Sequence, residues 1–352
     1  MRLNFLNLAT MGMDAGNQMK VLKRHLLSVV RHITFKKFVN LLLTEYNLAM
    51  KKEVISSKPY ILKIESSNIC NLKCAYCYDS RRAPKEGERP YGRMSFNNFK
   101  QLIDETGTYL FKINLYGFGE PFLFPESFEM IEYATKNNIG ITASSNMNFT
   151  DSTIIDKILD SGLEVLIFSC HGVTPSSYKK FMVKGDMDLA FDNIKRLIKA
   201  KKEKGSKTPI IDWQFCVTKF NENELKMAEE TAKNLGIDQV RFIKPMFPKD
   251  ADEDFFSNLF PARQDNKAQF RCSWLYRAAY INHDGGLLPC CRDTRPIANN
   301  FGNVFQEKLS DIWNNEKYRS SRKYASFQDV KGKDCKTMCR KCPQVNESIS
   351  NS

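Results

Sequence analysis

The sequence predicts an α/β protein built around a partial (β/α)6, TIM-like barrel, with a helical extension before it and a small cysteine-bearing module after it. Two observations lead to this fold class. Between about residues 59 and 246, short runs rich in β-branched and aromatic residues alternate with longer amphipathic runs, which is typical of successive βαβ units. Nine of the eleven cysteines fall into two groups, at 70–77 and 272–342, which indicates two metal-binding segments rather than a disulfide framework.

The barrel region contains six candidate strands, each followed by a turn signal or a helical stretch. The strand runs are YILKIESS, KINLYGF, IGITASS, EVLIFSC, PIIDWQFCV and QVRFIKP. The stretches between them, such as SFNNFKQLIDETGTYL and DLAFDNIKRLIKAKKEK, have the spacing of amphipathic helices. Six such units are too few to close a full eight-stranded barrel.

The domain boundaries follow from changes in this rhythm. We expect an N-terminal basic helical extension over 1–58, the barrel over 59–246, a polar linker over 247–267, a separate cysteine-bearing module over 268–343 and a disordered tail over 344–352. Within the module, the run AYINHDGGLLPCC predicts a hairpin that turns at Asp284-Gly285-Gly286.

The N-terminal extension reads as one or two amphipathic helices over about 17–52. Its apolar residues near helical spacing are Leu22, Leu26, Leu27, Val30, Phe38, Leu41 and Leu42. Lys20, Lys23, Arg24, Arg31, Lys36 and Lys37 lie between them. The helices either pack on the body of the protein or make a peripheral contact with an anionic membrane.

Composition limits the class of protein. With 42% hydrophobic and 26% charged residues, the chain has ordinary globular composition. The net charge of +13 is spread along the chain, which argues against a nucleic-acid substrate. No run reaches the roughly 18 apolar residues of a membrane-spanning helix, and no secretory signal core is evident, so we expect a cytoplasmic protein.

The first cysteine group follows the first predicted strand, with the spacing Cys70-x-x-x-Cys74-x-x-Cys77. Thiolates are favoured ligands of iron-sulfur clusters, and three closely spaced cysteines can bind three irons of a 4Fe-4S cube while leaving the fourth open. The alternatives are a zinc site or a ferredoxin-like cluster completed by a distant cysteine. No histidine lies near this loop, which disfavours zinc.

This loop resembles the signature of the radical S-adenosylmethionine (SAM) superfamily, in which an aromatic residue precedes the third cysteine. Tyr76 has that position and, by the resemblance, borders the adenine of SAM. The resemblance implies that the amine and carboxylate of SAM chelate the open iron. Reductive cleavage of SAM then gives methionine and a 5'-deoxyadenosyl radical, which abstracts a hydrogen atom from the substrate.

Polar groups follow the next three strands, where parallel barrels bind their ligands. Gly119, Glu120 and Pro121 resemble the Gly-Gly-Glu-Pro motif of the same superfamily, although Phe118 stands where one of the paired glycines would fall. The resemblance assigns Glu120 to the SAM ammonium. Hydroxyl and amide groups for the SAM ribose and carboxylate would come from Ser145, Asn146 and Ser169.

Three residues near the ends of the fourth and fifth strands are candidates for catalysis. His171 stands where the family usually has Asp, and it is either a proton carrier near neutral pH or a hydrogen-bonded wall residue. Cys170 and Cys216 are candidate hydrogen-atom donors to a substrate radical. The alternative for each is a small buried hydrophobic residue.

The second cysteine group resembles the SPASM or twitch extension of radical SAM enzymes. The resemblance assigns Cys272, Cys290, Cys339 and Cys342 to an auxiliary 4Fe-4S cluster, with Cys291 and Cys335 in reserve. The alternative is a structural zinc site. Lysine and arginine side chains around the last cysteines would offset the negative charge of a cluster.

Together these features predict a radical SAM oxidoreductase that uses its auxiliary cluster for electron transfer. Its substrate is expected to be a small molecule, such as a sugar, or a peptide, and its reductant a flavodoxin or ferredoxin. A radical epimerase with a cysteine donor is the alternative enzyme. A noncatalytic iron-sulfur carrier or scaffold is the alternative of another class.

Overall fold

The computed structural model describes residues 15–75, 77, 82–245, 255–257, 259, 272–329 and 332–350. Its centre is one nine-stranded sheet. The strands are β1 (Ile61–Ile64), β2 (Lys112–Leu115), β3 (Gly140–Ser145), β4 (Val165–Ser169), β5 (Ile210–Cys216), β6 (Gln239–Ile243), β7 (Ala278–Ile281), β8 (Gly286–Leu288) and β9 (Gly302–Asn303).

Strands β1 to β6 are parallel and lie in chain order, each hydrogen-bonded to the next. They correspond to the six runs chosen from the sequence, so the predicted α/β barrel core is confirmed. Helices connect them: α3 (Phe96–Thr106), α4 (Pro125–Lys136), α5 (Thr153–Asp160), α6 (Pro175–Phe181), α7 (Met187–Glu203) and α8 (Leu225–Leu235).

The strands present alternate residues to the helices and to the barrel interior, as a period of two requires. On β4 and β5, Phe168 and Trp213 meet Phe191 of α7, with ring centroids 5.6 and 5.5 Å from that ring. These aromatic side chains define the helix-facing side. Residues one position away, such as Ser169 and Gln214, therefore face the interior.

The C-terminal segment adds its three strands to the same sheet. Strand β7 pairs in parallel with β1, with Ile61 opposite Ala278 and Ile64 opposite Ile281. The predicted hairpin is present, since β8 runs antiparallel to β7 and β9 antiparallel to β8. An open barrel leaves the backbone groups of an edge strand unpaired, and β7 satisfies those of β1.

The remaining helices lie at the two ends of the chain. They are α1 (Ala15–His32) and α2 (Phe35–Ala49) before the barrel, and α9 (Trp274–Arg277), α10 (Leu309–Ile312), α11 (Glu316–Ala325) and α12 (Pro343–Ser350) after it. No helix within the described ranges is long and apolar enough to cross a membrane.

The structure bears on two expectations about the ends of the chain. Of the seven apolar residues identified in the N-terminal helices, Leu41 is buried and Leu22 is half-buried, but the other five are exposed: Leu26, Leu27, Val30, Phe38 and Leu42. The tail predicted to be disordered from 344 forms α12 as far as Ser350, because Val345 is buried and Asn346 accepts a hydrogen bond from the Tyr324 hydroxyl at 2.6 Å. Most of the predicted linker 247–267 lies outside the described residues.

Candidate active site

The loop that follows β1 carries the first three cysteines to the rim where the parallel strands end. Cys70, Cys74 and Cys77 are each half-buried. Burial, together with the charges of Glu120 and Cys77, raises the pKa of Cys70 to about 12. The pKa of Cys74 is raised by burial and then by Cys77 and Cys70. The three thiols are therefore near neighbours; Tyr76 lies outside the described residues.

The surroundings of these thiols fit an iron-sulfur cluster. The backbone N–H of Leu72 donates to Cys70 Sγ at 3.4 Å, and Asn146 Nδ2 donates to the same sulfur at 3.7 Å. Such donors stabilise thiolates that ligate a cluster. Within the described ranges, no three His, Cys, Asp or Glu side chains are arranged to hold one metal ion. In a cubane each cysteine binds a different iron, so its sulfurs need not converge on one atom.

The end of β2 is docked directly on this loop. The Glu120 backbone N–H donates to the Ile69 carbonyl at 3.0 Å. A Cβ on Gly119 would overlap the Ser67 carbonyl oxygen and lie 2.8 Å from that of Ile69, so only glycine allows the approach. Pro121 opens the short 3-10 helix Pro121–Leu123. The Gly119-Glu120-Pro121 segment therefore packs directly against the cysteine loop.

Glu120 is almost fully buried beneath the loop. Its carboxylate accepts the Asn146 N–H at 2.8 Å and the Phe122 N–H at 3.3 Å. Burial raises its pKa to about 7 despite these bonds. A carboxylate has about four acceptor sites, so it retains capacity for a ligand ammonium while holding the ends of β2 and β3 together.

The end of β3 folds back sharply at Met147, which is buried with a left-handed φ of 56°. Ser145 Oγ accepts the Met147 N–H at 3.0 Å, and Asn146 Nδ2 donates to Asn71 Oδ1 at 3.0 Å. A non-glycine residue in this conformation stores strain, a feature that clusters at functional sites. The turn brings the Asn146 amide against the cysteine loop.

Ser169 ends β4 on the interior side of the barrel. Its hydroxyl lies 2.9 Å from that of Ser144 on β3, and both side chains are half-buried. The pair forms a polar patch on the interior side, whereas Ser145, paired with Phe168, lies on the helix-facing side of β3. A polar ligand at the rim would find hydroxyl groups here.

His171 ties the ends of β4 and β5 together. Its Nδ1 accepts the Cys216 N–H at 3.2 Å, and its carbonyl accepts from Asn221 Nδ2 at 2.9 Å. Burial lowers its pKa to about 4, so the ring is neutral near neutral pH. These contacts support the wall-residue interpretation over the proton carrier.

The two isolated cysteines occupy opposite faces of the sheet. Cys170 is two residues beyond Phe168, fully buried in the helix-facing core, and its thiol donates to the Gly172 carbonyl at 3.4 Å. Cys216 is two residues beyond Gln214, on the interior side, and its charge raises the pKa of Cys74. The structure therefore places on different faces two cysteines that the sequence treated as equal candidates for the hydrogen-atom donor.

Sequence reasoning missed a buried hub around Glu65, directly after β1. Arg89 forms an ion pair with this carboxylate, with Nη2 to Oε2 at 3.0 Å, and Tyr280 OH and the Phe118 N–H donate to Oε2 at 3.1 and 3.3 Å. His283 Nδ1 lies 3.2 Å from Oε1. The position of Glu65, directly after β1 and five residues before Cys70, places it at a strand end, and this was the available signal.

The second cysteine group also assembles in space. Burial, with the charges of Cys290 and Cys342, raises the pKa of Cys272 to about 12. The pKa of Cys339 is also raised, first by burial and then by the charge of Cys272. These are the four residues assigned to the auxiliary cluster. Their thiols are close enough to influence one another and fit a fully ligated 4Fe-4S cluster.

The two reserve cysteines lie close to the same group, since the charge of Cys291 helps to raise the pKa of Cys290 and that of Cys335 helps to raise the pKa of Cys339. Cys335 is fully buried, with its sulfur 3.3 Å from Thr337 Oγ1. Cys291 faces Lys63 and Tyr280 in the barrel: the pKa of Lys63 is raised because Cys291, Tyr116 and Glu65 outweigh the burial that would lower it. Cys291 therefore lies between the second cysteine group and the barrel interior.

An open parallel barrel with a three-cysteine loop at its carboxyl rim defines an enzyme class that binds SAM on an iron-sulfur cluster. Family comparison agrees: the radical SAM superfamily matches residues 64–213, and the SPASM iron-sulfur cluster-binding domain matches residues 272–343, together more than half of the chain. The chain belongs to the radical SAM superfamily and carries a C-terminal SPASM domain. Its cofactors are SAM and 4Fe-4S clusters.

Among curated proteins, the chain is 23% identical over 296 residues to the tungsten-containing aldehyde ferredoxin oxidoreductase cofactor-modifying protein of Pyrococcus furiosus. The match covers 73% of this chain and 81% of that protein. Several other curated relatives are matched over about half of their length or less.

Solved structures show the same fold. The crystal structure of BtrN in complex with AdoMet and 2-DOIA has a TM-score of 0.51 and 17% identity, covering 82% of this chain and 94% of that one. Streptococcus suis SuiB bound to precursor peptide SuiA has a TM-score of 0.57 and 14% identity, covering 78% and 69%.

Proposed function

We propose that this protein is a radical SAM oxidoreductase that abstracts a hydrogen atom from its substrate and passes an electron to an auxiliary 4Fe-4S cluster. When bound and reduced, the cluster on Cys70, Cys74 and Cys77 would supply the electron that cleaves SAM to methionine and the 5'-deoxyadenosyl radical, and this radical would perform the abstraction. The chain's own residues hold that cluster, position SAM at the rim and line the space in which the substrate reacts.

One observation carries the oxidoreductase proposal: both cysteine groups are fixed to neighbouring strands of one sheet. Strand β1 leads into the loop that carries Cys70. Strand β7 pairs with β1, and a single short helix separates β7 from Cys272. Hydrogen-bonded strands cannot shift independently, so the distance between the clusters is set by the fold. A fixed distance suits electron transfer from a substrate held between them.

The space between the groups is polar. The Lys63 ammonium lies 4.6 Å from the centroid of the Tyr116 ring and 5.8 Å from that of Tyr280. On the opposite side of the barrel, Arg241 Nη2 donates to Gln214 Oε1 at 3.3 Å. Hydroxyl, amide and cationic groups favour a polar substrate.

Two substrate classes fit these surroundings. BtrN was crystallised with the small molecule 2-DOIA and SuiB with a precursor peptide, so the fold accommodates both classes. The hydroxyl-rich lining at Ser144 and Ser169 favours a small polar molecule such as a sugar, with a peptide as the second substrate class.

A flavodoxin or ferredoxin is the proposed reductant, acting in the cytoplasm. Exposed basic side chains surround the second cysteine group and complement an acidic protein: Lys333, Lys336, Arg340 and Lys341. All eleven cysteines lie within the described residues and none forms a disulfide.

The test begins with anaerobic reconstitution. We expect about eight irons per chain for two 4Fe-4S clusters, and formation of 5'-deoxyadenosine from SAM and dithionite. The Cys74→Ala variant should lose SAM cleavage and about half of the iron, whereas Cys170→Ala, a matched buried cysteine on the helix side, should keep both. An intact first cluster that does not cleave SAM would support the carrier or scaffold instead.

A second candidate, radical epimerisation, is favoured by the interior position of Cys216. A thiol that returns a hydrogen atom to the opposite face of a substrate radical exchanges that hydrogen with solvent. With the substrate in deuterated buffer, an epimerase would place solvent deuterium in the product, and Cys216→Ala but not Cys170→Ala would abolish it. An oxidised product without solvent deuterium supports the oxidoreductase.

A further inference from the structure

The two N-terminal helices are oriented with their apolar sides toward solvent. Phe35 is 81% exposed, Val30 64% and Met19 63%. Single exposed apolar residues are common on protein surfaces, but a contiguous group of them indicates an interaction site. The other exposed large apolar residues of this segment are Leu26, Leu27, Ile33, Phe38, Val39, Leu42, Leu43, Tyr46, Met50 and Val54. We call this set, with Met19, Val30 and Phe35, the outer apolar face.

The buried sides of the same helices are polar and specifically bonded. Arg24 of α1 pairs with Asp212 inside the barrel, and Ser28 Oγ donates to Glu164 Oε2 at 2.9 Å. On α2, Asn40 Nδ2 donates to the Lys58 carbonyl at 3.0 Å.

These bonds fix the rotation of both helices about their axes. Turning a helix to bury its leucines would leave buried charges unpaired, which strongly destabilises a protein. The outer apolar face is therefore held outward by the structure itself.

The charge around this face is positive. Helix α1 contains no Asp or Glu, and the single acidic residue of α2, Glu45, accepts from Arg277 Nε at 2.8 Å on the inner side. Lys23 and Lys36 are exposed beside the apolar residues. A cationic amphipathic surface of this kind complements an anionic lipid headgroup layer.

We propose that this protein binds anionic membranes peripherally, with α1 and α2 lying flat in the interface and the outer apolar face inserted among the lipid chains. Helix α1, at 18 residues, extends about 27 Å along the membrane plane. In a contact between two copies, this face would meet helices that carry exposed lysines and no exposed acidic residue, so no opposing charge would be present. A bilayer supplies that charge, which selects it over a second copy.

Vesicle co-sedimentation of the reconstituted full chain tests this proposal. We expect binding to vesicles of phosphatidylcholine with phosphatidylglycerol, weaker binding to phosphatidylcholine alone, and a decrease with added salt. The double variant Leu27→Glu with Phe38→Glu should lose binding by tenfold or more. Met227→Glu on α8, also at an exposed apolar residue, is the matched control and should bind as the parent does.

Three other results would overturn the proposal. The first is an absence of binding to either vesicle. The second is a dimer in sedimentation velocity that the Leu27→Glu and Phe38→Glu changes dissociate, which would assign the face to a second copy. The third is a large drop in melting temperature for that variant, which would show that another part of the chain covers the face. None depends on SAM cleavage, so the outcome is independent of the proposed chemistry.

Discussion

Lys112, the first residue of β2, is the least favourably placed charge that the structure describes. It is 2% exposed, and its ammonium has no hydrogen-bond partner among the described residues. Burial and the nearby charges of Arg24 and Arg241 lower its pKa to about 7, against the opposing effect of Glu164 and Asp212. We predict that replacing this lysine with methionine stabilises the protein.

The magnitude follows from the shift of the pKa from 10.5 to about 7. Between these values the unfolded chain binds a proton that the folded protein does not, so stability falls as the pH decreases, by about 1.4 kcal/mol per pH unit. Below pH 7 the loss is complete, at about 5 kcal/mol. Lys112→Met removes it, so its advantage is largest near pH 6–7 and vanishes near pH 10.5.

Anaerobic differential scanning calorimetry at several pH values between 6 and 10 measures this effect. At about 1.4 °C per kcal/mol for a chain of 352 residues, the melting temperature at pH 7 should rise by several degrees, and the gain should shrink at each higher pH. Lys226→Met, at an 89% exposed lysine side chain, is the control and should change little. A lower melting temperature for Lys112→Met at pH 7 would show that attraction to Glu164 and Asp212 outweighs burial, and would refute the reasoning.

Three further predictions concern single residues. The lowered pKa of His171 means that the free energy of unfolding falls by about 3 kcal/mol as pH drops from about 6.5 to 4, and His171→Asn should flatten this part of the profile in calorimetry. Gly119→Ala should lower the iron content of the first cluster because its Cβ overlaps the Ser67 carbonyl. Gly87→Ala introduces backbone strain at a φ of 77° but places no atom within 4 Å of the new Cβ, so it should keep full iron. Asp212→Asn leaves two buried arginines without their carboxylate and should cost about 3–5 kcal/mol, and an unchanged melting temperature would contradict that.

Local patterns in the sequence were sufficient to predict the strands and helices of the barrel. Each of the six strands is a short run with β-forming residues between turn signals, and each helix has an apolar stripe, so the elements could be identified one at a time. The cysteine loop and the Gly-x-Gly-Glu-Pro segment could be found for the same reason, since their residues are contiguous and follow strand ends. Their roles toward SAM remain predictions that rest on family resemblance and on the contacts around Cys70.

Only the tertiary structure decided which faces these residues present. The sequence places Cys170 and Cys216 alike, but strand register turns the first toward the helices and the second toward the interior. Glu65 gains its partners from segments up to 218 positions away, which no local pattern reveals. The N-terminal helices show this limit most clearly. Periodicity identified their apolar stripe, yet buried ion pairs with the barrel turn that stripe outward. The reason is that an unpaired buried charge costs more free energy than an exposed leucine side chain.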